Sequence, residues 1–93
     1  MAKGYWITCY RSVTDEATLK NYARLAGPII EAHGGRFLAR GIPVKAYEFG
    51  LSQRLVIIEF ESMQKAIEAY ESPEYQVALA ILKDSAERDV RII

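Results

Sequence analysis

At 93 residues the chain makes one domain, and a domain this small buries only about two-thirds of its unfolded surface, so a second subunit is expected to help stabilise it. Hydrophobic residues are 51% of the chain and charged residues 26%, which excludes a disordered or low-complexity protein. Twelve basic residues cancel twelve acidic ones and no apolar run is long enough to span a bilayer, so neither nucleic acid nor membrane is expected as a partner.

Gly4 to Tyr10 is rich in aromatic and β-branched residues and predicts a first strand with two largely apolar faces, Tyr5/Ile7/Cys9 and Trp6/Thr8/Tyr10. Thr14 or Asp15 then caps a helix, running to about Ala32, whose positions Leu19, Tyr22, Ala23, Ala26, Ile29, Ile30 and His33 follow the spacing of one face. Pro28 lies inside it and is expected to kink or divide it. Gly34 suits the left-handed position that ends a helix, and strand two follows from Arg36 to Gly41. Val44 to Phe49 is expected to resume extended structure, and Arg54 to Phe60 reads as the clearest strand. Ser62 caps a second helix, Ser72-Pro73 restarts a third, and Val90 to Ile93 predicts a last strand after the charged stretch Lys83 to Asp89.

The order βαββαβ predicts a ferredoxin-like α+β fold, an antiparallel four-stranded sheet with strands one and three central and the helices on one face. Of the two sides of strand three, Val56/Ile58/Phe60 is wholly apolar, whereas Leu55/Ile57/Glu59 ends on a carboxylate that is costly to bury without a partner. The apolar side is therefore assigned to the helices and Glu59 to the open face, which a second copy would cover.

This geometry brings Glu59 and Arg36 to the same end of adjacent strands, with His33 just before and Tyr5 or Trp6 at the start of strand one. Glu59, Arg36 and His33 are the candidate catalytic residues, Glu59 moving a proton and Arg36 holding an anionic or carbonyl oxygen; Tyr5 and Trp6 are the candidate ligand-binding residues. The competing reading is an ion pair that only supports structure, with His33 finishing a helix. Arg40, Lys45 and Glu48 read as solvated or edge residues, and Tyr22, Tyr70 and Tyr75 as core residues with hydrogen-bonded hydroxyls. The single cysteine, Cys9, has no partner for a disulfide or a Cys-x-x-Cys site and reads as core; its distance from His33 along the strand excludes a nucleophile dyad. No metal-ligand spacing or phosphate-binding loop occurs, and Arg54 to Phe60 lacks the aromatic positions of RNA-recognition strands.

Three ordered stretches, His33-Gly34-Gly35-Arg36-Phe37-Leu38-Ala39-Arg40-Gly41, Arg54 to Phe60, and Ala69-Tyr70-Glu71-Ser72-Pro73-Glu74-Tyr75-Gln76, resemble the signature stretches of the domain of unknown function 1330 family. That family is similar to the dimeric α+β barrel superfamily, in which two ferredoxin-like subunits pack sheet against sheet and which includes muconolactone isomerases and cofactor-independent monooxygenases. The resemblance implies fold and dimerisation rather than chemistry. Two positions depart from it: Glu48-Phe49 stands where members often carry Glu-Gly, and Leu82-Lys83 where they carry an arginine.

The expectation is a cytoplasmic homodimer with a ligand-sized cavity near the sheet interface and no metal or organic cofactor. It either binds or converts a small organic molecule there, or is a non-catalytic dimeric module whose ion pairs only hold the interface.

Overall fold

A computed structural model describes residues 2–93 as β1 (Gly4–Val13), α1 (Glu16–Ala32), β2 (Arg36–Gly41), β3 (Leu55–Phe60), α2 (Met63–Glu71), α3 (Pro73–Leu82) and β4 (Ala86–Ile92). The strands form one antiparallel sheet in the order β2-β3-β1-β4, with the helices on one face, so the ferredoxin-like expectation and its central pair hold.

Local chemistry explains the element ends. Asp15 caps α1 by accepting from the Thr18 amide at 3.1 Å and the Thr18 hydroxyl at 2.8 Å, bonds that hold its carboxyl below the usual range. Gly34 leaves the helix at φ 92°, a conformation that glycine adopts without strain. Gly35 is needed for closeness instead, because a Cβ there would stand 2.8 Å from the Phe60 ring. Ser62 caps α2, while Ser72 ends α2 and caps α3 together, its hydroxyl donating to the Ala69 carbonyl at 2.8 Å and accepting from the Tyr75 amide at 3.2 Å.

Three elements differ from the sequence pattern. Helix α1 passes Pro28 undivided, because Pro28 and Arg24 are both exposed and water can take the carbonyl that the missing amide leaves free. Residues 44–49 form no strand: they run as a loop whose Lys45, Tyr47 and Phe49 line a pocket with Cys9, Leu55 and Asp89, and their apolar side chains find little cover, Val44 and Phe49 being almost fully exposed. Strand β4 begins at Ala86 rather than Val90, since the charged stretch alternates, Glu87 and Asp89 facing one side and Arg88 the other.

Ile58 and Phe60 are buried beneath the helices and Val56 packs beside them, whereas Leu55, Ile57 and Glu59 share the open face. Trp6, Thr8 and Tyr10 complete the covered face, with Trp6 packed edge-on against Tyr75 at 4.9 Å between ring centroids and donating its indole N–H to Thr8 at 2.8 Å. Cys9 belongs to the open face and is half-buried, not in the core, because it alternates with Thr8 and Tyr10.

Two β-bulges interrupt that alternation. The register between β2 and β3 shifts between Phe37 and Ala39, and that between β1 and β4 shifts between Tyr10 and Ser12. Each extra residue reverses the sidedness of the rest of its strand. Arg40, opposite Val56, and Val13, opposite Ala86, therefore join the covered face.

Candidate functional site

On the open face the pairing register sets Glu59 directly between Arg36 of β2 and Tyr5 of β1. Arg36 donates to one carboxylate oxygen of Glu59 at 3.0 Å and the Tyr5 hydroxyl to the other at 3.2 Å. Partial burial, and then Glu59 itself, push the Tyr5 hydroxyl above its ordinary value. Both oxygens of the carboxylate are thus engaged.

The other two candidates lie elsewhere. His33 faces α3, with its Nε2 3.6 Å from a Glu74 carboxylate oxygen, because the last turn of α1 carries it into the helical layer. Trp6 lies on the opposite face of the sheet from Glu59, as its neighbours in the alternation require. The structure thus assembles Tyr5, Arg36 and Glu59, and separates them from His33 and Trp6.

Pockets occur on both faces: one of about 760 Å³ lies on the open face, as expected, lined by Cys9, Leu55 and Asp89 with Tyr47 and Phe49 of the loop before β3. A pocket of about 240 Å³ lies between α1 and the covered face of the sheet, and neither Tyr5, Arg36 nor Glu59 lines it. Trp6, Leu19, Ala26, Ile30 and Ile58 form its buried interior. Its rim is mainly polar, with Glu16 and Lys20 of α1, Arg40 of β2, and Gln53 and Arg54 before β3, beside the exposed Ile42. Gly27 helps make the space, since a Cβ at that position would meet no atom within 4 Å.

Beside the cavity, the Tyr22 and Tyr75 hydroxyls share a 2.6 Å hydrogen bond, and Arg88 donates to each at 3.2 Å. Burial pushes the hydroxyls of Tyr22, Tyr75 and Tyr10 up, and for Tyr10 the nearby Arg88 and Arg54 pull the other way. Burial opposes the Arg88 charge, but Tyr22 and Tyr75 outweigh it and the guanidinium stays protonated. Tyr22 and Tyr75 are therefore core residues with satisfied hydroxyls, as their helical spacing predicts.

Sequence reasoning missed Gly27, Arg40, Arg54 and Arg88. For Gly27 a signal existed, because glycine within an amphipathic helix costs about 1 kcal/mol against alanine and calls for a packing reason. For Arg40 none existed, since strict alternation places it with Arg36 on the open face.

Among the described residues, no group of three or more His, Cys, Asp or Glu is placed to hold a metal ion, and no helix is long and apolar enough to cross a membrane.

The family profile described as "Domain of unknown function (DUF1330)" matches residues 3–93. No curated protein sequence matches the chain. Solved structures resemble it in fold. A protein of unknown function from Rhodopseudomonas palustris aligns with a TM-score of 0.70 at 16% identity, over 98% of this chain and 80% of that one. A dimeric ferredoxin-like protein of unknown function from Thermobifida fusca gives 0.63 at 16%, over 98% and 89%. SnoaB, a cofactor-independent oxygenase from Streptomyces nogalater, gives 0.64 at 9%, over 100% and 92%. Identities this low carry the fold and not the activity.

Proposed function

Because this chain belongs to the Domain of unknown function (DUF1330) family, whose description names no activity, we propose its function from the site: it binds a small, mostly apolar molecule in the cavity between α1 and the sheet, as a homodimer joined through the open face. The observation that carries this reading is a cavity of about 240 Å³ with a buried apolar interior and a polar rim, the general form of a small-molecule site. About 150 Å³ of apolar cavity accommodates a benzene ring, so the volume suits one ring with a short tail.

The homodimer is supported by the open face, where Tyr5, Ile7, Cys9, Leu55 and Ile57 form an apolar strip half-shielded in the single chain, and by the dimeric description of the Thermobifida fusca neighbour. Within that arrangement Tyr5, Arg36 and Glu59 serve the interface, the Glu59 carboxylate accepting from both neighbours. Conversion of the bound molecule without metal or organic cofactor is the second reading, favoured by the fold shared with SnoaB. A cytoplasmic location fits the free Cys9.

The test uses Trp6, the chain's one tryptophan, as a reporter within the cavity. Small aromatic ligands are expected to change its fluorescence saturably. Gly27→Phe is expected to fill the cavity and abolish the change. Gly27→Ala should retain binding and change stability by about 1 kcal/mol or less, since the gain in helix propensity is opposed by crowding of the new Cβ against the Pro28 ring. A saturable response unaffected by Gly27→Phe would place binding elsewhere and overturn the reading.

A further inference from the structure

We propose that the ligand of this cavity is a small apolar acid, its hydrocarbon body against Trp6, Ile30 and Ile58 and its carboxylate at the rim between Arg40 and Arg54; this rests on the cavity reading above. The argument begins with charge. The whole chain is neutral, yet the cavity lining holds three cations, Lys20, Arg40 and Arg54, against one carboxylate, Glu16. None of the three cations enters an ion pair among the described residues.

Position strengthens the point. Arg54 continues the covered row of Val56, Ile58 and Phe60, and its carbonyl accepts from the Tyr10 amide at 3.0 Å, which fixes its backbone beside the cavity wall. Arg40 reaches the same side only because of the bulge at Leu38, and its guanidinium carbon lies 4.2 Å from the centroid of the Phe37 ring, another lining residue. That stacking holds the planar fork at the rim with its edge free to donate. Behind the wall stands Arg88, 5.6 Å from the Tyr10 ring centroid and 5.2 Å from that of Tyr22, bonded to tyrosine hydroxyls and to no carboxylate among the described residues. Three guanidinium groups thus act on one apolar cavity from its rim and its wall. A guanidinium is suited to a planar carboxylate, and its attraction strengthens where apolar walls exclude water.

The experiment compares three probes with one hydrocarbon body: 3-phenylpropanoic acid, 3-phenylpropanamide and 3-phenylpropylamine, titrated against the intact protein by Trp6 fluorescence and calorimetry. The acid is expected to bind about tenfold or more tightly than the amide, with the amine weakest, and the advantage should shrink as salt rises. Arg40→Ala and Arg54→Ala should each weaken the acid several-fold more than the amide and so bring the two affinities together. Arg54→Lys keeps the charge and should retain much of the preference, separating electrostatics from folding. Equal binding of acid and amide, or tighter binding of the amine, overturns the anion preference and leaves the cavity reading intact. If none of the three binds, both readings fall.

Discussion

The two faces of the sheet handle charge in opposite ways. On the open face Arg36 meets Glu59 at 3.0 Å, while Asp89 receives both Arg91, at 2.9 Å, and Arg11, at 3.7 Å. On the covered face Arg40, Arg54 and Arg88 lie among aromatic rings and hydroxyls, with no ion pair among the described residues. A face that neutralises its own charges can meet a copy of itself without burying a lone ion, which is the costly event at interfaces. A cavity whose cations stay unpaired has its attraction left for a molecule that arrives from outside.

The sharpest way to break this contrast is to attack the covered face where it is core. Trp6→Ala removes a ring that stacks on Phe60 and meets Tyr70 and Tyr75 edge-on, and should cost about 3–5 kcal/mol in urea unfolding followed by circular dichroism. On the open face, Ile57→Asp should leave a folded monomer on light scattering, with association weakened by on the order of 3 kcal/mol per subunit, because the new carboxylate would be buried without a partner. A dimer that survives this substitution would remove the open face from assembly.

A third test titrates the covered face. Tyr10, Tyr22 and Tyr75 are all pushed up, so above their ordinary value near pH 10 the unfolded chain loses protons that the folded chain keeps, and stability falls as pH rises. The decline should reach on the order of 1 kcal/mol by pH 11, and Tyr75→Phe should flatten its slope. The smallest effect is expected from Arg36→Ala: Arg36 is 73% exposed, so loss of its bond to Glu59 should change stability by about 1 kcal/mol or less, with the fold retained.

How far the sequence can be read depends on which physical signals are local. The stop at Gly34 and the caps at Ser62 and Ser72 are chemistry of a few adjacent residues, and each is legible. The face assignment is legible because Glu59 breaks one apolar row and not the other. That His33 meets Glu74 is not legible, because sequence proximity to Arg36 says nothing of the direction in which a helix delivers its final residue. Arg88 is hidden because a charge between Glu87 and Asp89 looks solvated, and only the folded tyrosines reveal its partners. The cavity itself depends on the distance between α1 and the sheet, which no local pattern encodes.

The bulge at Leu38 makes the sidedness of Arg40 a matter of counting residues and not of chemical identity. Deleting that single position would only remove the bulge and leave Arg40 opposite Val56, whereas pairing the same residues without a bulge would turn the arginine to the opposite surface, where Arg36 already stands, without altering one charge in the composition. Whether one residue is bulged out or paired can thus do the work of two substitutions, adding a cation to one compartment and withdrawing it from the other. Related chains with the same residue types but without the bulge would then differ in ligand preference, and a comparison of side chains alone would overlook the cause.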